Sequence, residues 1–113
     1  MKRKNTYKKG ILTFISYPTN EHTYVVACEE LCLVREGKDL EHSYLKILAD
    51  AKSYLNNVCN NKLGEHLLNQ SLPDDIKNEF NEYREKKENE EFEKWKISIE
   101  KLKTKRNLKL LIA

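Results

Sequence analysis

The sequence predicts an α+β fold: a small three-stranded antiparallel sheet with one packed helix, then a short helix and a long charged C-terminal helix. Three observations lead there. Short runs rich in β-branched and aromatic residues crowd the first 36 positions. A stripe of apolar residues at helical spacing runs from 40 to 58. Beyond Pro73 the chain is highly charged and contains neither glycine nor proline.

GILTFISY, 10–17, reads as the first strand, and Pro18-Thr19-Asn20 breaks it into a turn. HTYVVACE, 22–29, is the next strand, and LCLVRE, 31–36, a third and shorter one that Gly37 ends. The first two form a hairpin, and a meander is the simplest arrangement of all three. Asp39 is a good N-cap type for the helix that follows. The stripe consists of Leu40, Tyr44, Leu48, Ala51, Leu55 and Val58, widened by Leu45 and Ile47. Asn56, Asn57, Asn60 and Asn61 mark its end, and KLGEHLLNQ makes a short helical piece.

Ser71-Leu72-Pro73-Asp74-Asp75 is a second helix start, with proline and acids suited to a first turn. Ile76, Phe80 and Tyr83 give one stripe, and Phe92, Trp95, Ile99 and Leu102 a second. Between them REKKENEE, 84–91, is almost wholly charged. One long helix over about 74–105 accounts for both stripes, with pairs such as Glu90–Lys94 along its solvated middle. The alternative is two helices with a kink near Glu88. LKLLIA, 108–113, either prolongs the helix or pairs as a late strand. The expected organisation is a ββ-β-α domain with a basic tail over 1–70 and a helical extension over 71–113.

Alternation within the strands carries a further implication. Leu12, Phe14, Tyr24, Val26 and Cys28 share one parity; Ile11, Ile15, Val25 and Ala27 share the other. Successive strand residues point to opposite faces, so both faces of the sheet are apolar. One helix covers one face. The other needs the C-terminal helices, a second copy or a different protein. Sheet edges are also natural places for strand addition.

Hydrophobic residues make up 39% and charged residues 35%, a composition that excludes a disordered chain and calls for a solvated helix. Residues 1–9 carry +5 and residues 94–109 carry +6; with a net charge of +3, the stretch 10–93 carries −8. Basic ends favour phosphate and an acidic body favours a basic protein. Ordinary solubility charge is the alternative. Glu29, Glu30 and Glu36 are the candidate partner-facing acids. Lys101, Lys103, Lys105 and Arg106 are candidate phosphate contacts, although a basic helix end also suits the macrodipole.

Cys28-x-x-x-Cys32 lacks the second close pair that a structural zinc site uses, and Cys59 stands alone. No metal is expected, and half-buried thiols explain the cysteines. No pair of carboxylates is fixed in a cleft by spacing, and no Cys or Ser has a base beside it. With three glycines there is no G-x-x-x-x-G-K-[ST] and no G-x-G-x-x-G. No catalytic residue and no cofactor is expected. ILTFI is too short for a secretory h-region, and no apolar run approaches the roughly 20 residues of a membrane span. The three thiols and this pattern predict a cytoplasmic protein without membrane contact.

The stretch HTYVVACEELCLVREGKDLEHSYLKILADAKSYL resembles the N-terminal domain of HicB-like antitoxins over about residues 10–58. In that family a strand ends near a Cys-Pro-Glu-Leu-like turn. A short strand, a glycine and a capped helix ending in a Tyr-Leu-like segment follow. Cys28, Glu30 and Leu31 fit the turn, with Glu29 where proline is usual. Gly37, Glu41, Ala51, Tyr54 and Leu55 fit the rest; Asp39 replaces the hydroxyl cap, and His42 and Ser43 depart from Glu-Ala. The resemblance implies a partial ribonuclease-H-like fold without catalytic carboxylates. It also implies a protein that binds a small basic RNase toxin of the HicA type, hides its active site and commonly oligomerises, a homodimer included. The family's C-terminal DNA-binding motif is not recognisable in 72–113, so operator binding is not implied here.

The expected function is therefore a non-enzymatic protein-binding inhibitor. Two alternatives remain open: a nucleic-acid-binding module using the basic C-terminal segment, and a mobile-element inhibitor of a larger nuclease.

Overall fold

The computed structural model describes residues 4–19, 22–86 and 93–111. The order is β1 (Ile11–Pro18), β2 (Tyr24–Cys28), β3 (Leu33–Gly37), α1 (Leu40–Asn60), a 3-10 turn (Glu65–Leu68), α2 (Asp74–Lys86), β4 (Glu93–Ser98) and α3 (Ile99–Thr104). A last 3-10 turn spans Leu108–Leu111.

The sheet has four strands, not three, in the order β3-β2-β1-β4. All neighbouring strands are antiparallel; Phe14 lies opposite Cys28 on one side and Trp95 on the other. The β2–β3 connection is a tight turn in which the Cys32 amide donates to the Glu29 carbonyl at 3.1 Å. Cys32 sits there at φ 53, and Leu31 is buried beneath it. The third strand thus starts at Leu33, two residues later than its composition suggests.

α1 forms where the stripe predicts it. Asp39 caps it by accepting from the His42 amide at 2.9 Å. Tyr44, Ile47, Leu48, Ala51, Leu55 and Val58 are buried against Leu12, Phe14, Val26 and Cys28 on one face of the sheet. Ile99 and Leu102 of α3 join the same core. At roughly 1.5–3 kcal/mol for each fully buried large apolar side chain, this cluster supplies the main driving force for folding.

The opposite face holds Ile15, Tyr17, Val25 and Ala27, and α2 covers it with Phe80, Ile76 and Tyr83, helped by Leu72. The C-terminal part of the chain therefore covers the second apolar face here.

The long C-terminal helix over 74–105 does not form. Residues 93–98 are a strand on the outer edge of β1, and the helices on either side are separate. The physical reason lies in the two-residue alternation of Lys94-Trp95-Lys96-Ile97. A helix would spread these side chains around its circumference. A strand sends Trp95 and Ile97 into the α1 core and both lysines outward, and β-branched and aromatic residues favour that conformation. Phe92, Glu88 and Glu90, which figured in the helical reading, lie outside the described residues. Residues 108–111 form a 3-10 turn against α1, neither a longer helix nor a strand.

Candidate functional site

The three candidate acids occupy three different environments. Glu29 is half-buried in the β2–β3 turn. Glu30 is buried at 5% exposure, and its carboxylate accepts from the Thr13 amide at 2.6 Å and the Thr13 hydroxyl at 2.8 Å. Its carbonyl accepts from the Gln70 amide at 2.8 Å. Glu30 thus ties the turn to β1. Glu36 is exposed on β3 and accepts from the Thr23 hydroxyl at 2.7 Å.

Glu36 does not stand alone. The Tyr17 hydroxyl donates to Glu79 of α2 at 2.6 Å. Burial, that bond, and the nearby charges of Glu79, Asp75 and Glu36 push the phenol well above its ordinary value of 10.0. Glu79 of α2 thus touches the Tyr17 hydroxyl directly, and Asp75 and Glu36 act on it through their charge. Sequence spacing did not relate Glu36 to Asp75 and Glu79, because they are some 40 residues apart and come to one face only through packing of α2 on the sheet. The available signal was the apolar second face, which required a cover.

β3 is an edge of the sheet, and on it Val34 is 43% exposed. Paired across from Ala27, Val34 shares the face that α2 covers. Arg35 points the other way and forms a two-pronged ion pair with Asp50 of α1, one prong at 3.0 Å. Asp50 raises the guanidinium pKa further. This exposed pair contributes little to stability but fixes β3 to α1. Among the described residues the β3 edge has no further strand beside it, and it presents one apolar side chain and the exposed Glu36, features suited to strand addition by a partner.

The candidate phosphate contacts are divided. Lys101 and Arg106 are exposed, whereas Lys103 and Lys105 are half-buried. The Lys103 ammonium donates to the Tyr7 carbonyl at 3.2 Å. The Lys105 carbonyl accepts from Lys52 of α1. Ile99 and Leu102 bury one side of α3, so the four cations do not form one continuous outward stripe. Lys94 and Lys96 are exposed on β4, so the basic edge of the sheet lies opposite the acidic β3 edge. Strand alternation was their signal, obscured by the helical reading.

The cysteines are free thiols. Cys28 is buried in the core, and burial pushes its thiol far up, toward the protonated form. Among the described residues, no three His, Cys, Asp or Glu side chains gather as a metal would require. Among the same residues, no helix is long and apolar enough to cross a membrane. No family model, no curated protein and no solved structure matches the chain.

Proposed function

We propose that this protein is a non-enzymatic inhibitor that binds a small basic protein through its β3 edge and occludes that partner's working surface. The observation that carries this reading is the open β3 edge with the exposed Val34 and Glu36 on one face of it, while Glu79 of α2 lies further across the same face at Tyr17. A strand edge supplies backbone pairing, Val34 supplies an apolar contact, and the acids select a cationic partner and raise its association rate. The strongly acidic 10–93 stretch supports the same choice of partner.

The resemblance of residues 10–58 to HicB-like antitoxins narrows the proposal. The partner is then a small basic RNase toxin of the HicA type, the compartment is the cytoplasm, and the inhibitor acts as a monomer or homodimer. The continuous ββ-β-α arrangement of residues 11–60 supports this narrower form.

Co-purification of the tagged protein from its host at about 0.5 M salt tests the reading, because surface charge pairs are screened beyond a few ångströms there. A stoichiometric small basic protein is the expected result. Recovery of nucleic acid alone, lost as salt rises, contradicts it and favours a nucleic-acid role for the basic segment. Recovery of a large nuclease favours the mobile-element alternative.

A further inference from the structure

A cleft of about 760 Å³ opens at the basic end of the sheet, away from the β3 edge. Thr13 of β1, the Glu30 that accepts from its hydroxyl, Asn69 and Gln70 line it. Lys96 of β4 lines it too. It lies opposite Thr13 in the register, so both side chains project to the same face. The N-terminal segment closes the rim with Lys4 and Lys9.

That rim is built rather than loosely laid. Asn5 is 5% exposed; its side-chain amide donates to the Leu68 carbonyl at 2.8 Å and the Ile11 carbonyl at 3.1 Å, and its oxygen accepts from the Ile11 amide at 2.8 Å. Asn5 and Asn69 also exchange backbone-to-side-chain bonds of 2.6 and 2.9 Å. The Tyr7 amide donates to Glu65 at 3.0 Å, and its hydroxyl accepts from the Gly64 amide at 3.0 Å. Thr6 and Lys9 close a turn at 2.8 Å. At Gly10, φ is +153 and an added Cβ would lie 2.1 Å from the Asn5 side-chain oxygen, so the segment can dock only because that position is glycine. A terminal segment so anchored keeps Lys4 and Lys9 at the cleft that Lys96 also lines.

None of the three lysines is ion-paired among the described residues, where Arg35–Asp50 is the ion pair formed. Three lysines lining one cleft favour an anion carrying more than a single charge. Thr13, Asn69 and Gln70 line the same cleft as the lysines, so it suits a ligand with an anionic group beside the lysines and a neutral polar body against these residues. The volume is within the ordinary range for small-molecule sites.

We propose that this cleft binds a phosphate monoester on a neutral polar body of nucleotide or sugar-phosphate size. The phosphate lies among Lys4, Lys9 and Lys96, and the body lies against Thr13, Asn69 and Gln70. The site is independent of the β3 edge and stands or falls separately from the inhibitor reading.

Calorimetric titration of the full chain with adenosine 5′-monophosphate, glucose 6-phosphate and the corresponding unphosphorylated compounds tests it. At least one phosphate ester binds saturably, and its unphosphorylated form binds about tenfold more weakly or less. Lys96→Gln and Lys9→Gln each weaken binding several-fold; Lys46→Gln, on the exposed side of α1, leaves it unchanged. These are surface changes that leave folding intact, which circular dichroism checks. A 5′-phosphorylated RNA hexamer that binds while its 5′-hydroxyl counterpart does not supplies the same group from a chain end and supports the site. Equal binding of both hexamers, no binding of any phosphate ester, or unchanged affinity in the Lys9 and Lys96 variants overturns it.

Discussion

Trp95 stacks on Phe14 with ring centroids 4.5 Å apart and planes 11° from parallel, directly across the β1–β4 pairing. Tyr44 of α1 meets the same indole edge-on at 5.4 Å, and its hydroxyl shares a 2.8 Å hydrogen bond with Ser16. The fourth strand is therefore locked to both the sheet and the helix by aromatic contacts. Trp95→Ala is expected to cost about 3 kcal/mol of stability, and a Phe14/Trp95 double-mutant cycle to show a coupling of about 1 kcal/mol. Urea denaturation followed by far-UV circular dichroism measures both. A coupling near zero would remove the stack from the account of β4.

The Glu30 carboxylate satisfies two donors of Thr13 in a buried setting. Glu30→Ala leaves that amide and hydroxyl without the acceptor and is expected to destabilise the fold by about 2 kcal/mol, with Glu30→Gln costing less. A surface glutamate would change stability by only a few tenths, so the same denaturation series separates the two roles.

Tyr17 gives a pH signature. Its phenol holds its proton more tightly folded than unfolded, so the unfolded chain deprotonates first as pH rises. The stabilisation is complete below about pH 10 and is lost progressively above it. Tyr17→Phe is expected to flatten the alkaline fall in unfolding free energy, and Glu79→Gln to soften it. Parallel alkaline curves for wild type and Tyr17→Phe would show that Tyr17 does not carry this linkage.

Thiol labelling reports on the core. Cys28 is buried with its thiol held protonated, whereas Cys32 and Cys59 are half-buried. At neutral pH a disulfide reagent is expected to modify Cys32 and Cys59 in the folded protein and Cys28 only at the rate of unfolding. Equal reactivity of all three thiols would contradict the packing of β2 on α1.

The residues that announced their structure were those whose pattern is local. The stripe from Tyr44 to Val58 and the Asp39 cap define α1, and the mixed apolar parities of β1 and β2 foretold that both faces need covering. Trp95 misled because it sits at helical spacing from Ile99 and Leu102 while also alternating with Lys94 and Lys96. In so short a segment the two periods overlap, and pairing with β1 decides between them. Asn5 and Tyr7 carried no periodic signal, since their hydrogen bonds reach Leu68, Asn69, Gly64 and Glu65 near the middle of the chain. The inward turn of Glu30 was hidden because its partner lies on another strand. The contact of Glu79 with Tyr17 depends on α2 lying across the sheet, which no spacing within α2 specifies.

The most direct test of the inhibitor account is a charge reversal at the β3 edge. Glu36→Lys and Val34→Lys together, both on exposed positions of β3, are compared in the tagged full chain with wild type for retention of the co-purified basic protein at about 0.5 M salt. The account predicts that wild type retains the partner in stoichiometric amount, while the reversed variant, folded by circular dichroism, loses it. Equal retention by the variant would contradict binding through the β3 edge.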